Sequence, residues 1–463
     1  MAETIRCISP VDGSVYAARP VATRKEIAAT FAAARAAQDK WKRRPVAERA
    51  VYCTAAVEAM LAMRDDIIPE LAWQMGRPVR YGGGELRGFE ERARYMISVA
   101  GKALEPIDPG PKEGFLRYIK REPLGVVFTI APWNYPYLTA VNSIIPALMA
   151  GNAVVLKHAA STILVAERFQ KAFDKAGLPK GLFQHLVLSH KQTSEIISGG
   201  LANMVCFTGS VAGGKAMEQA AAGRFINLGL ELGGKDPAYV RADANMAHAI
   251  ENLVDGAYFN SGQSCCGIER IYVHKKVWSD FIDGFVDLTR KYILGSPLEE
   301  ATTLGPLVKA DAADFVRKQI KSAVRAGARA HIDPKSFALD RAGTPYMAPQ
   351  VLTGVNHQMG VMMEESFGPV VGIMKVTDDE EAIQLMNDSP YGLTAAIWTE
   401  DAAAAQRIGD EVATGTVFMN RCDYLDPALT WTGVKDTGRG ATLSVIGYEA
   451  LTRPKSYHLR TRT

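Results

Sequence analysis

The sequence predicts an α/β fold built on parallel sheets, and two patterns support this prediction. Short apolar runs that are typical of buried strands alternate with stretches whose apolar residues recur at helical spacing, which indicates parallel sheets covered by helices. The chain of 463 residues is also long enough for two or three domains. Its content of 48% apolar and 22% charged residues is that of a globular protein with a sizeable core.

The predicted elements follow in a regular order. Residues 24–64 have the Ala-rich, helical spacing of two helices with a break near Pro45, and residues 85–100 form a third helix. Residues 115–123 alternate apolar and charged side chains, as an amphipathic strand does. Residues 455–460 alternate weakly, so a lone strand and a frayed terminus fit this tail equally well.

Buried strands are predicted in two groups, with helices between the strands. The first group, a nucleotide-binding layer, has strands at 125–130, 153–156 and 204–207, and the second has strands at 270–273, 370–373, 395–398 and 415–418. The second group implies a further α/β domain that begins near Gly234.

Charge and cysteine content argue against several classes of protein. The net charge of +3 is small for this length and gives no reason to expect a nucleic-acid partner. The six cysteines include no Cys-x-x-Cys pair, and with the eight histidines they lack zinc-ligand spacing, so we expect no metal site and a reducing compartment. The N-terminus lacks a signal-peptide core and the apolar runs are too short for a membrane span, so we expect a cytoplasmic protein.

Three residues are candidates for chemistry. Cys265 follows a polar, Gly-containing turn and precedes a strand, a setting that can expose a thiol among backbone N–H groups. Glu231 precedes a double glycine, which permits the close approach that a general base needs. Asn134 lies in a loop stiffened by two prolines, where its amide can donate to an oxyanion. Taken singly, an inert buried cysteine, a solvated carboxylate and a turn asparagine are the commoner interpretations.

Taken together with their neighbours, these residues resemble the aldehyde dehydrogenase superfamily. The matching segments are Pro-Trp-Asn-Tyr-Pro at 132–136, Phe-Thr-Gly-Ser at 207–210, Glu-Leu-Gly-Gly-Lys at 231–235, Gly-Gln-Ser-Cys at 262–265, Glu-Glu-Ser-Phe-Gly-Pro-Val at 364–370 and Asn-Asp-Ser-Pro-Tyr-Gly-Leu at 387–393. They occur in the family's order over nearly the whole chain. The resemblance implies oxidation of an aldehyde to the carboxylic acid with NAD or NADP.

The resemblance also implies a role for each site residue. Cys265 is the nucleophile that forms a thiohemiacetal and then a thioester, Asn134 holds the oxyanion with the Cys265 N–H, and Glu231 activates the thiol or the hydrolytic water. The cofactor residues implied are Trp133, Lys157, Ala160, Gly209, Ser210, Glu365 and Phe367. Of these, Lys157 contacts the adenosine ribose, Ser210 the pyrophosphate, and Glu365 and Phe367 the nicotinamide ribose and ring.

Two departures from the family's pattern carry predictions. Many NAD-preferring relatives have Glu where this chain has Ala160, and a carboxylate there would repel the 2′-phosphate of NADP. We therefore predict that NADP is accepted alongside NAD, the alternative being that NAD remains preferred. Ala441 and Thr442 stand where many relatives have Arg-Glu, and that Glu is a proposed second base. Its absence predicts that Glu231 carries more of the proton work.

The implied fold has a Rossmann-like cofactor domain, an α/β catalytic domain and a small β oligomerisation element. The NAD(P)-binding domain covers 1–104 and 124–233, the catalytic domain covers 234–445, and the oligomerisation element combines 105–123 with 446–463. Tyr457–Arg460 would then pair with the sheet of a neighbouring subunit in a homodimer or homotetramer.

The substrate is less determined than the reaction. The entrance is expected near Trp133, Tyr137, Tyr258, Ile268 and the 421–431 loop. The aromatic, apolar character of that loop indicates an aliphatic or aromatic aldehyde, and aromatic faces also admit a quaternary amino aldehyde. Arg421 admits a carboxylate-bearing substrate such as succinate semialdehyde, unless it only braces the loop.

Two alternative functions remain to be tested. A CoA-acylating semialdehyde dehydrogenase is disfavoured because such relatives usually lack the Glu that this chain has at position 231. A non-catalytic homologue is disfavoured because Cys265, Glu231 and Asn134 are all present.

Overall fold

The computed structural model describes residues 3–462, in which the strands form two mostly parallel sheets and three two-stranded ribbons. The strands are β1 Thr4–Ile8, β2 Val15–Pro20, β3 Phe115–Pro123, β4 Val126–Ala131, β5 Ala153–His158, β6 Phe183–His185, β7 Met204–Thr208, β8 Asn227–Glu231, β9 Asp236–Val240, β10 Ile268–His274, β11 Arg329–Ala330, β12 Gln350–Thr353, β13 Val370–Val376, β14 Tyr391–Gly392, β15 Thr394–Trp398, β16 Thr416–Met419, β17 Val434–Lys435, β18 Gly438–Arg439 and β19 Thr452–Arg460. The predicted α/β fold is confirmed, and each strand predicted from a buried run is present.

Helices cover both sheets. They are α1 Arg24–Trp41, α2 Val46–Leu61, α3 Arg64–Met75, α4 Val79–Ala103, α5 Pro136–Ala150, α6 Leu164–Lys175, α7 His190–Ser198, α8 Val211–Ala221, α9 Met246–Tyr258, α10 Trp278–Thr289, α11 Ala310–Arg325, α12 Gly360–Met363, α13 Asp379–Asn387 and α14 Ala402–Glu411. Short 3-10 helices lie at Ala160–Thr162, Phe259–Gly262, Pro334–Ser336 and Ile446–Tyr448.

The predicted break at Pro45 is confirmed, and the helix predicted over 85–100 begins earlier, at Val79. The early start runs through three consecutive glycines, a composition that normally weakens a helix. A side chain at Gly82 would collide with Ile68 of α3, at 2.7 Å from its Cγ2 atom. The glycines therefore allow α3 and α4 to pack closely.

The first sheet has the strand order β18-β8-β7-β4-β5-β6. From β4 the chain runs outward through β5 and β6, and it then returns to β7 on the other side of β4. Every residue of β4 is buried, as expected for a strand covered on both faces. The carboxyl ends of β4 and β7 therefore border a crevice at the point where the strand order reverses, which is where open α/β sheets bind ligands.

The second sheet has the order β11-β12-β13-β10-β9-β15-β16. Since β8 belongs to the first sheet and β9 to the second, the chain passes between the sheets near Gly234, where a new domain was predicted to begin. The range 234–445 does not stay within the second sheet, because Gly438–Arg439 pairs antiparallel with β8 of the first.

The C-terminal tail forms a regular ribbon with β3. Strand β19 pairs antiparallel with β3 over its whole length, from Thr452 opposite Pro123 to Arg460 opposite Phe115. Tyr118 stacks on Tyr457 across the ribbon at 4.5 Å between ring centroids. The frayed-terminus interpretation is therefore wrong, and the strand has a partner in its own chain. Pairing with a neighbouring subunit stays a prediction.

The described part of the chain has neither a helix suited to cross a membrane nor a cluster of side chains suited to hold a metal ion. Among residues 3–462, no helix combines the length and the apolar character needed to cross a membrane. The same residues contain no group of three or more His, Cys, Asp or Glu side chains that is arranged to hold a metal ion.

Candidate active site

Cys265 lies in a tightly turned loop between α9 and β10. Three consecutive residues before it have left-handed φ angles: Asn260 at 53°, Ser261 at 58° and Gly262 at 70°. The Ser261 hydroxyl donates to the Gly305 carbonyl at 2.8 Å, and the Val308 N–H donates to Gln263 Oε1 at 2.8 Å. These buried bonds fix the loop that carries Cys265. Cys265 itself is half-buried.

Cys265 and Glu231 line the same cavity, whose volume is about 400 Å³. This volume lies within the range of small-molecule sites. The wall opposite comes from α4, from the start of α5 and from the loop that follows β16. These parts contribute Arg87, Arg92, Tyr135, Leu138, Asp423, Tyr424, Leu425 and Trp431, whereas Phe259 and Cys266 belong to the cysteine loop itself. The charged residues of the lining are the two arginines, Arg87 and Arg92, and four acidic residues, Glu91, Glu231, Asp255 and Asp423.

None of the four residues expected at the entrance lines this cavity, and Trp133 lines a separate cavity instead. Tyr137, Tyr258 and Ile268 are fully buried in the core, with at most 1% of their surface exposed. Their neighbours Leu138 and Phe259 take their place. Tyr137 and Leu138 are successive residues of α5 and point about 100° apart, so Leu138 faces the cavity while Tyr137 faces the core.

The loop after β16 contributes Tyr424, Leu425 and Trp431, as predicted, but Arg421 does not line the cavity. The Arg421 guanidinium lies 3.6 Å from the centre of the Tyr424 ring and is exposed. Arg421 therefore contacts a residue of its own loop, as expected if it only braces that loop.

Glu231 ends β8 and is held by two threonine hydroxyls. Thr208 donates to one carboxylate oxygen at 2.8 Å, and Thr442 donates to the other at 2.6 Å. Burial raises the pKa of Glu231, while these two hydrogen bonds and the charge of Arg92 oppose the rise. Sequence patterns identified Thr442 only by the carboxylate missing there, and they gave Thr208 no role. Both act directly on Glu231.

Asn134 is anchored to the cysteine loop. Its side-chain amide donates to the Gln263 carbonyl at 3.2 Å, two residues before Cys265. Its own carbonyl accepts a bond from buried Arg77 at 2.5 Å. Arg77 also pairs with buried Glu85, whose carboxylate accepts the N–H of Tyr137 at 2.8 Å and so caps α5. The loop that carries Asn134 is therefore fixed from both ends.

The double glycine after Glu231 permits two close approaches. A side chain at Gly233 would collide with the Glu365 carboxylate, and one at Gly234 would collide with the Cys265 carbonyl. The Gly234 N–H donates to Glu365 Oε1 at 2.9 Å. The glycines thus bring together three of the sequence-predicted site segments.

The loop that carries Glu365 and Phe367 is held by a buried ion pair that the sequence analysis missed. Glu269 accepts the N–H groups of Ser366 at 2.8 Å and Phe367 at 2.9 Å, and Lys235 Nζ lies 2.5 Å from Glu269 Oε2. Phe367 has a left-handed φ of 51° and packs edge-on against Trp133 at 5.6 Å. Burial and the charge of Glu269 raise the pKa of Glu365 to about 7.

A second cavity of about 350 Å³ opens beside the first sheet. Trp133, Lys157 and Ala160 line it, together with the carboxylate of Glu3. Lys157 follows the buried run of β5, and burial lowers its pKa. No ion pair is found for Lys157 within residues 3–462, so its ammonium is open to an anionic ligand.

Gly209 and Ser210 lie between β7 and the N-terminus of α8. The Ser210 hydroxyl caps α8 by accepting the Gly213 N–H at 3.2 Å, and Gly209 N–H donates to the Glu231 carbonyl at 3.0 Å. A helix N-terminus next to a crevice suits a phosphate group. Together with the open lysine, these residues fit a pyrophosphate and a ribose of a dinucleotide.

The other thiols near the site are held as thiols. The Cys266 Sγ donates to Asp423 at 2.8 Å. The contact with Cys265 and burial raise the pKa of Cys266, and burial raises the pKa of Cys206 to about 12. Burial raises the pKa of Asp423 to about 6. None of these thiols is set up to ionise near neutral pH.

Known proteins resemble this chain in sequence and in fold. The model described as the aldehyde dehydrogenase family matches residues 1–457. An NADP(+) succinate-semialdehyde dehydrogenase of Mycobacterium avium is 33% identical over 412 residues, which are 89% of this chain and 87% of that protein. The succinic semialdehyde dehydrogenase of Streptococcus pyogenes, solved with NADP+, is 28% identical with a TM-score of 0.93, covering 98% of this chain and 100% of that one. The NAD-dependent aldehyde dehydrogenase of Sinorhizobium meliloti is 29% identical with a TM-score of 0.94, covering 99% and 92%.

Proposed function

The chain belongs to the aldehyde dehydrogenase family, and on that premise we propose that it oxidises an aldehyde to the carboxylic acid with NAD or NADP through a covalent bond to Cys265. The observation that carries this proposal is the shared cavity: Cys265 and Glu231 line one space of about 400 Å³, and Glu365 meets their segments at Gly233 and Gly234. This proximity supports the proposed roles of Cys265 as nucleophile, Glu231 as base and Glu365 as the carboxylate that holds the cofactor.

In the first half of the proposed reaction, the Cys265 thiolate forms a bond to the aldehyde carbon. The carbonyl electron pair moves to the oxygen, and the resulting oxyanion is stabilised by the Asn134 amide and the Cys265 backbone N–H. The amide of Asn134 is anchored to the Gln263 carbonyl, two residues before Cys265, which supports this role.

A bound nicotinamide would supply the oxidant by accepting the hydride that the adduct carbon loses as the oxyanion collapses, which leaves a thioester on Cys265. Glu365 and Phe367 would hold its ribose and ring, Ser210 the pyrophosphate and Lys157 the adenosine ribose. Trp133 packs against Phe367 and would help to fix the same loop.

In the second half, Glu231 takes a proton from water, which attacks the thioester carbon. The acid then leaves and Cys265 is restored. A base works best when its pKa lies near the operating pH, and burial moves Glu231 in that direction.

The proposed cofactor range includes NADP. The relatives from Mycobacterium avium and Streptococcus pyogenes are named with NADP+, whereas that from Sinorhizobium meliloti is named NAD-dependent. Ala160 is exposed in the lining of the second cavity and presents no carboxylate to a 2′-phosphate. Semialdehydes join aliphatic and aromatic aldehydes among the proposed substrates, since two of these relatives are named for succinate semialdehyde.

We further propose the three-part domain division given above, a homodimer or homotetramer and a cytoplasmic location. Leu116 and Leu459 are paired in register on the β3–β19 ribbon and are 51% and 47% exposed, which supports a subunit contact there. All six cysteines are free, which supports a reducing compartment.

The proposal is tested by product analysis with three variants. Wild type should reduce NAD or NADP and release the free acid, and Cys265→Ala should do neither. Glu231→Gln should slow turnover on the order of 10²- to 10⁴-fold, because acylation leaves a thioester without its general base. The matched control is Cys53→Ala, a core thiol remote from the cavity, which should keep the wild-type rate.

Two results would point elsewhere. Release of an acyl-CoA only when CoA is added would indicate the CoA-acylating alternative. A wild type that oxidises no aldehyde and whose Cys265 does not react with iodoacetamide would indicate the non-catalytic alternative.

A further inference from the structure

Arg92 is a buried cation in the wall of the substrate cavity. It lies on α4, 7% of its surface is exposed, and it lines the same cavity as Cys265 and Glu231. One terminal nitrogen donates to the Leu138 carbonyl at 2.6 Å and approaches Asn142 Oδ1 at 3.4 Å. Its Nε and its second terminal nitrogen have no acceptor in residues 3–462. Much of a five-donor group is therefore left unused.

The other buried arginines near the site are satisfied by the protein. Arg77 pairs with Glu85 and also donates to Asn134 and Asn260. Arg270 donates to the carbonyl of Lys235 and to several further oxygens around β10. Neither of them lines the cavity. Arg92 differs from both in having unused donors and an open space beside it.

The charges around Arg92 do not neutralise it by contact. Within residues 3–462 no carboxylate lies within ion-pair distance of its guanidinium, although Glu231 and Glu85 are close enough to raise its pKa against the lowering by burial. Glu231 is already engaged by two threonines, and Asp423 accepts bonds from Cys266 and Ser264. A buried guanidinium without a paired anion is destabilising unless a ligand supplies the anion.

We propose that Arg92 binds a carboxylate on the substrate, which makes the preferred substrate class a semialdehyde that carries an acid at its far end. The inference rests on the proposed function and deepens it. Nε and the second terminal nitrogen of Arg92 are free to donate to the two oxygens of one carboxylate, the bidentate geometry in which guanidinium and carboxylate pair best. Arg421, the carboxylate-binding candidate from the sequence, is replaced in this role because it lies outside the cavity against Tyr424.

The test compares three four-carbon aldehydes that differ only in the far end: butanal, succinate semialdehyde and 4-aminobutanal. Wild type should show the highest kcat/KM with the carboxylate. Arg92→Met keeps an apolar stem without the charge, and it should lower the ratio of kcat/KM for succinate semialdehyde to that for butanal on the order of 10- to 100-fold. Arg92→Lys should recover part of the loss. Arg94→Met, which removes an exposed arginine from the same helix, should match wild type with all three.

A second readout needs no turnover. Succinate should slow the alkylation of Cys265 by iodoacetamide in wild type, because it occupies the cavity, and this protection should be lost in Arg92→Met. Circular dichroism and thermal melting establish that the variant is folded.

The outcomes separate the two proposals. If wild type oxidises butanal and succinate semialdehyde equally well, or prefers 4-aminobutanal, the Arg92 inference is wrong and the proposed function stands. Equal losses for butanal and succinate semialdehyde in folded Arg92→Met also overturn the inference, because they indicate an effect through Glu231. Oxidation of no aldehyde at all overturns the proposed function itself.

Discussion

Lys235 and Arg92 are both buried cations beside the reacting centre, but the protein neutralises only one of them. The Lys235 side chain is fully buried, 2.5 Å from Glu269 and 3.0 Å from the Ser366 hydroxyl. Arg92 has no carboxylate at contact distance in the described chain and faces a cavity. The first charge holds two segments of the site together, whereas the second is available to a ligand.

Lys157 belongs with Arg92 in this comparison. It too lacks an ion-pair partner among residues 3–462, and it lines the cavity beside the first sheet. Open cations thus lie at two places where the proposed ligands carry negative charge, the adenosine end of the cofactor and the far end of the substrate. The Lys235–Glu269 pair instead holds the loop of Ser366 and Phe367 in place.

The largest effect is expected when the buried ion pair between Lys235 and Glu269 is broken. Glu269→Gln leaves Lys235 as an unpaired buried charge and weakens the bonds to the Ser366 and Phe367 N–H groups. The free energy of unfolding should fall by about 3–5 kcal/mol, and KM for the cofactor should rise because the loop of Glu365 and Phe367 is loosened. Urea denaturation and steady-state kinetics measure the two effects.

A control and a rescue make this prediction specific. Glu58→Gln breaks an exposed ion pair with Arg94 and should change stability by less than about 1 kcal/mol. Adding Lys235→Met to Glu269→Gln should recover stability, because the uncompensated charge is removed. If the single variant is as stable as the control, the pair does not hold the loop.

A smaller effect is expected when a carboxylate is introduced beside Lys157, which has no ion-pair partner among residues 3–462. Ala160→Glu places a carboxylate in the cavity of Lys157, where it should pair with the lysine and repel a 2′-phosphate. We expect kcat/KM for NADP to fall on the order of 10- to 100-fold while that for NAD is maintained or improved. Ala160→Gln matches the size without the charge and should not discriminate between the cofactors. A wild type that prefers NAD by more than about a hundredfold would contradict the premise that Ala160 admits NADP.

Sequence patterns predicted the strands and the site residues whose signal is local. The buried run of β4 predicted a strand covered on both faces, and Cys265, Glu231 and Asn134 each lie in a short segment with a recognisable pattern. Their proximity was implied by the resemblance alone. In the structure Cys265 and Glu231 line one cavity, whereas Asn134 is buried against the cysteine loop and does not line it. The chain order of the segments does not determine which side chains face that cavity, so Tyr137 and Tyr258 were placed there wrongly.

The residues that sequence reasoning missed act through distant contacts. Glu269 reaches a loop 97 and 98 positions away in the chain, and Thr442 reaches Glu231 over 211 positions. No local pattern records such a pairing. Arg92 did leave a signal, because it lies between Phe89 and Met96 at helical spacing, on the face that α4 buries. An arginine in such a position calls for an anion or a set of acceptors.

The smallest effect is expected from changes to the hydrogen bonds of Glu231, the carboxylate that shares the substrate cavity with Arg92. The hydroxyls of Thr208 and Thr442 stabilise its ionised form and so oppose the rise in pKa that burial causes. Thr442→Val keeps the shape of the side chain and removes one of these bonds, so the pKa of Glu231 should rise further. A base acts in its ionised form, so the acidic limb of the kcat profile should move to higher pH, by about one unit for one charged hydrogen bond.

The direction and the pH range of this change identify its cause. At pH values well above the shifted limb, Thr442→Val should turn over at the wild-type rate, because Glu231 is ionised in both proteins. Thr208→Val should shift the limb the same way, since that hydroxyl donates to the other oxygen of the same carboxylate at 2.8 Å. Thr432→Val removes a nearby hydroxyl that donates to the Gly440 carbonyl instead, and it should leave the profile unchanged. A loss of rate that is uniform across pH would mean that Thr442 only positions Glu231 and does not stabilise its charge. Of the charges compared with the Lys235–Glu269 ion pair, only Arg92 and Lys157 would then remain.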